Sequence, residues 1–186
     1  MAVNAMVGLA RSRSVLLSLL ASATIFGLGA VLGYSALAGA ELSPRTVAPE
    51  SGFGQAFWEI LGRNIPSAML LYAGAVSFGV VSLIGITMLA AYVGATLAVV
   101  TSNSGWSGFM TETGAYVGFE FLGFILAGAA GLYPAAVAMA RGSRQENTGM
   151  LRRYVHAMAD SLRIFLVGVS VIVGAACIEA IVMAAR

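Results

Sequence analysis

The chain has 186 residues, of which 59% are hydrophobic and 10% charged, with a formal net charge of +2. That charge is too small for nucleic-acid binding, and a mean hydropathy of +0.90 names lipid as the solvent. One histidine and one cysteine exclude His/Cys metal-ligand spacing and an internal disulfide, and no phosphate-cradling glycine loop or nucleophile elbow is present.

The first apolar run is Val15 to Gly39, 25 residues behind Arg11 and Arg13. ALAGA at 36–40 resembles a signal-peptidase site. The run exceeds the ~7–15 residues of a secretory core, so it is read as a retained first span, 15–39. Gly29 and Gly33 give it the spacing that admits a second helix closely.

Residues 40–63 are polar and interrupted by Pro44 and Pro49. Within them FGQAFWEILGRN is amphipathic. It reads either as a short interfacial helix with an aromatic anchor or as a packed loop helix.

No charge occurs from Asn64 to Thr111. The strongly apolar part, 67–100, would make a single helix of ~51 Å against a hydrocarbon core of ~30 Å. Arginine placement bears on it. Segment 141–163 carries Arg141, Arg144, Arg152, Arg153 and Arg163. It belongs with the N-terminus on the cytoplasmic side. Two cytoplasmic ends require an even number of crossings between them. The region therefore predicts two short spans, 66–83 and 86–101, broken at SLIGIT (82–87), or a re-entrant hairpin that does not cross.

The next span is 116–140, and it holds a carboxylate, Glu120, in VGFEFLGFILAGAAGL. Glu112, Tyr116, Glu120 and Phe124 follow at i+4, and Gly123, Ala127 and Gly131 lie on much the same face. The carboxylate is thus predicted to point into the bundle or toward a partner subunit. Pro134 is expected to kink this helix.

Segment 141–163 reads as a cytoplasmic amphipathic helix whose arginines hold anionic lipid or receive a soluble partner. His156 lies opposite its apolar stripe, as a surface residue. The last span is 164–185, making about five spans in an all-α polytopic transmembrane helix bundle with short interfacial helices. It carries Glu179.

In this topology Glu120 and Glu179 share a depth with Tyr116, Tyr34, Arg63 and Asn64, which predicts a polar crevice open to the outer side. Ionisable groups within a membrane are costly and usually functional. Three uses compete: a structural hydrogen-bonded carboxylate, a contact for another subunit or peptide, and acid/base chemistry by Glu120 with Tyr116 one turn away.

The stretch EFLGFILAGAAGL (120–132) resembles the signature of the stage II sporulation protein M family. FWEILGRNIPSAMLLYAGAVSFGVVSLIGITML (57–89) is similar to that family's entry into its paired spans. The likeness covers roughly 57–140 and, more loosely, the last span. Glu120 matches the family glutamate, while the family histidine falls at Tyr116 and its glycine at Val117. That departure bears on any function needing a His–Glu pair, including a metal role.

The resemblance implies a multi-span protein of the bacterial cytoplasmic membrane working in complexes, with a second membrane subunit and a separate ATPase as partners. It also implies links to systems that make, export or resist ribosomally synthesised peptides, such as circular bacteriocins. The expected role is a subunit handling a peptide or envelope substrate, without metal or cofactor. The alternative is a cofactor-independent enzyme of ribosomal peptide maturation, for instance an epimerase, using Glu120 and Tyr116. The small-residue faces of spans one and four are the expected partner docks, with Glu179, Arg63, Asn64, Tyr34 and Glu112 as further substrate or partner contacts.

Overall fold

The computed structural model describes residues 2–39, 52–140 and 149–185. All its long elements are α-helices: α1 (Ala2–Leu37), α2 (Phe53–Tyr72), α3 (Val80–Thr113), α4 (Val117–Ala140) and α5 (Met150–Ala184). The polar stretch 40–51, the side chain of Arg11, and Arg141 and Arg144 lie outside what is described.

Helix direction follows from which residues meet. Ser22 of α1 donates to the Ile125 carbonyl of α4 at 2.8 Å, and Val15 packs on the Tyr133 and Val137 cluster further along α4. α1 and α4 are therefore antiparallel. Gly123 packs on Gly168 and Ile172 of α5, while Ala157 meets the Tyr133 end, so α4 and α5 are antiparallel too. Ala56 and Ile60 of α2 cluster with Ala176 and Ala180, and Tyr72 stacks on Phe165 with centroids 4.4 Å apart. α2 thus runs down α5 along its length. The five helices alternate in direction, which gives the bundle a Glu120 end and a Tyr154 end.

Four stretches are long and apolar enough to cross a membrane: Ser12–Leu37, Val80–Thr113, Val117–Met139 and Leu151–Ala184. α2 carries Glu59, Arg63 and Asn64 and does not meet that measure, yet it lies beside the others. The large apolar side chains point outward, as with Leu16, Leu28 and Leu32 of α1 and Leu166 and Val167 of α5. The interior is instead rich in Ala, Gly and Ser: Ala90, Ala127, Ala130, Ala176, Ser22 and Ser82 are all fully buried. In lipid, apolar burial between helices gains little, and close backbone approach drives association.

Two seams show this. A Cβ on Gly33 would overlap the Ala91 carbonyl, and one on Gly94 the Ala30 carbonyl, so α1 and α3 touch backbone to backbone. α4 is the most buried span. Its Gly128 faces Ile86 and Ser22, and its Gly131 faces Ser82 and the Leu71 carbonyl.

Boundaries differ from those expected. The break in the long apolar stretch falls at 73–79, not at SLIGIT. A 3-10 turn, Ala73–Val76, leads to Phe78 (φ 51°) and Gly79 (φ 86°), the left-handed region that glycine adopts freely. Ser82 Oγ donates to the Leu71 carbonyl across the hairpin. Tyr154 Oη donates to the Ala75 carbonyl at 2.7 Å and accepts the Phe78 N–H at 3.1 Å. Gly85 of SLIGIT serves packing, not turning: Leu71 lies 3.1 Å from where its Cβ would be. Consequently 66–83 is not one helix but is divided between α2 and α3, 86–101 lies within α3, and α3 runs on to Thr113 with a bend at Gly105 (φ 68°). The amphipathic piece from Phe53 is the first half of α2, and the described part of 141–163 is continuous with the last span in α5.

Candidate functional site

Glu120 sits in the first turn of α4. The Tyr116 carbonyl accepts the N–H groups of Phe119 (3.0 Å) and Glu120 (3.1 Å), which starts the helix and fixes the carboxylate one turn inside it. Glu120 then faces α2, where Asn64 Nδ2 donates to its Oε1 at 2.6 Å. A donor aimed at a carboxylate makes a short, strong, oriented bond.

Glu179 arrives from α5. Its neighbours Ala176 and Ala180 pack on Ala56 and Ile60, which turns that helix face toward α2. Glu179 and Arg63 open onto the same space as Glu120. Arg63 itself is largely exposed and pairs with Glu59, Nη2 to Oε1, at 3.2 Å.

These groups line a cavity of about 430 Å³ between α2, α3, α4 and α5. Its polar lining is Arg63, Asn64, Ser67, Tyr92, Glu120 and Glu179. Its apolar walls are Ile60, Leu89, Val93, Phe121 and Phe124. Asn64, Glu120 and Glu179 are each half-buried. The acid groups are therefore sheltered by protein but remain reachable.

The crevice brings together Glu120, Glu179, Arg63 and Asn64. Tyr116 is not among its lining residues; the second acidic group that lines it is Glu179. Tyr34 lies on the α1–α3 flank, sharing a hydrogen bond of 3.3 Å with Thr101 and stacking on Trp106. Glu112 lies in the last turn of α3, outside the lining. Gly29, Gly33, Gly123 and Gly131 pack against other helices of this same chain, and Ala127 is fully buried. Those faces are occupied internally, so they are not free docks for a partner. Among the described residues, no three His, Cys, Asp or Glu side chains are grouped to hold a metal.

Sequence reading missed Ser67 and Tyr92. Ser67 follows Asn64 at i+3, which puts it on the same helix face. Tyr92 is a hydroxylated aromatic inside an uncharged run. Either feature is a usable signal for a polar crevice.

The family model for stage II sporulation protein M matches residues 22–183. The match thus extends beyond 57–140 into the C-terminal part of α1 and takes in nearly all of α5. No curated protein and no solved structure matches the chain.

Proposed function

The chain belongs to the stage II sporulation protein M family, and from that premise we propose that it is the integral membrane subunit of a heteromeric complex that exports, confers resistance to or matures a peptide or envelope substrate. It sits in the bacterial cytoplasmic membrane with its N-terminus cytoplasmic, beside a second membrane subunit and a separate ATPase. The observation that carries this reading is the sheltered crevice, where Asn64 holds Glu120 in the cavity that Glu179 also lines. An intramembrane acid pair that is oriented, solvent-reachable and walled by apolar side chains suits the polar recognition of a mostly apolar ligand.

A second reading is favoured by the two carboxyl groups that line one cavity. Such a pair can hold one group as acid and the other as base, the arrangement needed to move a peptide α-proton.

Mild extraction of the tagged chain from native membranes tests both. The first reading expects a co-purifying membrane subunit in fixed ratio, and a lone chain would overturn it. The same preparation in heavy water separates the two: deuterium entering a peptide α-carbon, and lost in Glu120→Gln, marks the enzyme.

A further inference from the structure

With the crevice taken as a substrate contact, as proposed above, its lining also selects the chemistry of what enters. Two acidic groups stand against one cation, Arg63, and Arg63 is already engaged with Glu59 on the exposed side of α2. Glu120 and Glu179 line the same cavity. Two such groups resist proximity unless a proton or a cation lies between them.

The class of cation follows from the other lining groups. A calcium-like ion asks for 6–8 oxygen ligands, and among the described residues no third His, Cys, Asp or Glu joins this pair. An ammonium group has three donors and asks for three acceptors. Glu120 and Glu179 provide two. Ser67 provides a third, because its hydroxyl donates its own proton to the Arg63 carbonyl (3.1 Å) and keeps acceptor capacity.

The Asn64 amide donates to Glu120, so it orients the acceptor and does not compete for it. Beside these acceptors stand Leu89, Val93, Phe121 and Phe124, a wall that takes the methylenes of an alkyl stem. The volume of about 430 Å³ falls within the ~300–1,000 Å³ of small-ligand sites.

The geometry points to a binding site for a primary ammonium group on an alkyl stem, carried by a peptide as a lysyl side chain or a free N-terminus.

The test uses the full chain in nanodiscs of phosphatidylcholine, a lipid without a primary amine. Calorimetric titration compares hexylammonium chloride, hexyltrimethylammonium chloride and hexanol, and then adds a short lysine-containing peptide as competitor. Hexylammonium binds at least tenfold tighter than the other two, since a quaternary head cannot donate and hexanol carries no charge. The lysyl peptide displaces it. Glu179→Gln weakens hexylammonium binding tenfold or more, with helicity by circular dichroism unchanged.

Equal binding of the three probes, or none, overturns the site. The comparison of probes is made on the wild-type chain, so it decides the matter even where the variant fails to fold. If phosphatidylethanolamine in the disc abolishes hexylammonium binding while the lysyl peptide never competes, the peptide source is overturned in favour of a lipid headgroup. Loss of selectivity here leaves the co-purification result untouched, so the two readings fail separately.

Discussion

Asn64 governs the orientation of Glu120, because its amide donates a hydrogen bond of 2.6 Å to that carboxylate. Removing the donor leaves a half-buried acid short of a partner, a loss of about 1–3 kcal/mol. Asn64→Ala should lower the thermal stability of the detergent-solubilised chain by that order. Asn64→Asp should lower it further, since a third carboxylate then faces the first two. Unchanged melting in both variants would mean that the contact holds nothing together. A lone charge stands out in an apolar run, which is why Glu120 and Glu179 were legible in the sequence. Their true neighbours were less so. Shared depth fixes a residue's height on its helix, not its azimuth, and Tyr34 has the height of the crevice but bonds to Thr101 on the α1–α3 flank.

At the scale of elements, the α1–α3 seam shows what the glycines do. Gly33 and Gly94 each stand where a side chain would strike the opposite backbone, whereas Gly27 on the same α1 has open space. Gly33→Val must push the helices apart, and overpacking of this kind costs typically 1–3 kcal/mol. Gly27→Val should change stability by no more than about 0.5 kcal/mol. Thermal unfolding of the two variants side by side reads the difference, and equal losses would show that helix propensity, not contact, decides. The sequence holds 23 glycines, and composition alone does not separate a packing glycine from a turning one. Gly85 and Gly79 illustrate this: one accommodates Leu71, the other adopts φ 86° and ends the hairpin. Hence the all-helical bundle was plain from hydropathy, while the position of its tightest turn was not.

For the whole molecule, alternating helix directions put the start of α1 and the end of α5 at opposite ends of the bundle. Arg13 to Tyr34 on α1 spans roughly 30 Å, the thickness of a hydrocarbon core. Arg152 and Arg153 lie in the first turns of α5, at the Tyr154 end. Trp106, more than half exposed, stacks on Tyr34 at the other end, and Trp58, also exposed, lies between Ala56 and Ile60, near Ala176 and Ala180. Arg13, Arg152 and Arg153 at the Tyr154 end, against Arg63 at the Glu120 end, suit the proposed cytoplasmic placement of the Tyr154 end. On this reading α2 crosses too. It fails on hydropathy because Asn64 and Ser67 face the crevice, while Glu59 and Arg63 pair beside it near the helix's outer end. Five crossings then follow, with Ser12 and Gly149 inside and Thr111 and Ala185 outside. In a Cys177→Ser background, a membrane-impermeant maleimide added to intact cells should label Thr111→Cys and Ala185→Cys. Ser12→Cys and Gly149→Cys should react only after the membrane is opened. Labelling of positions 12 and 185 from one side would make the number of crossings even. In that case α2 would be a re-entrant arm that does not cross.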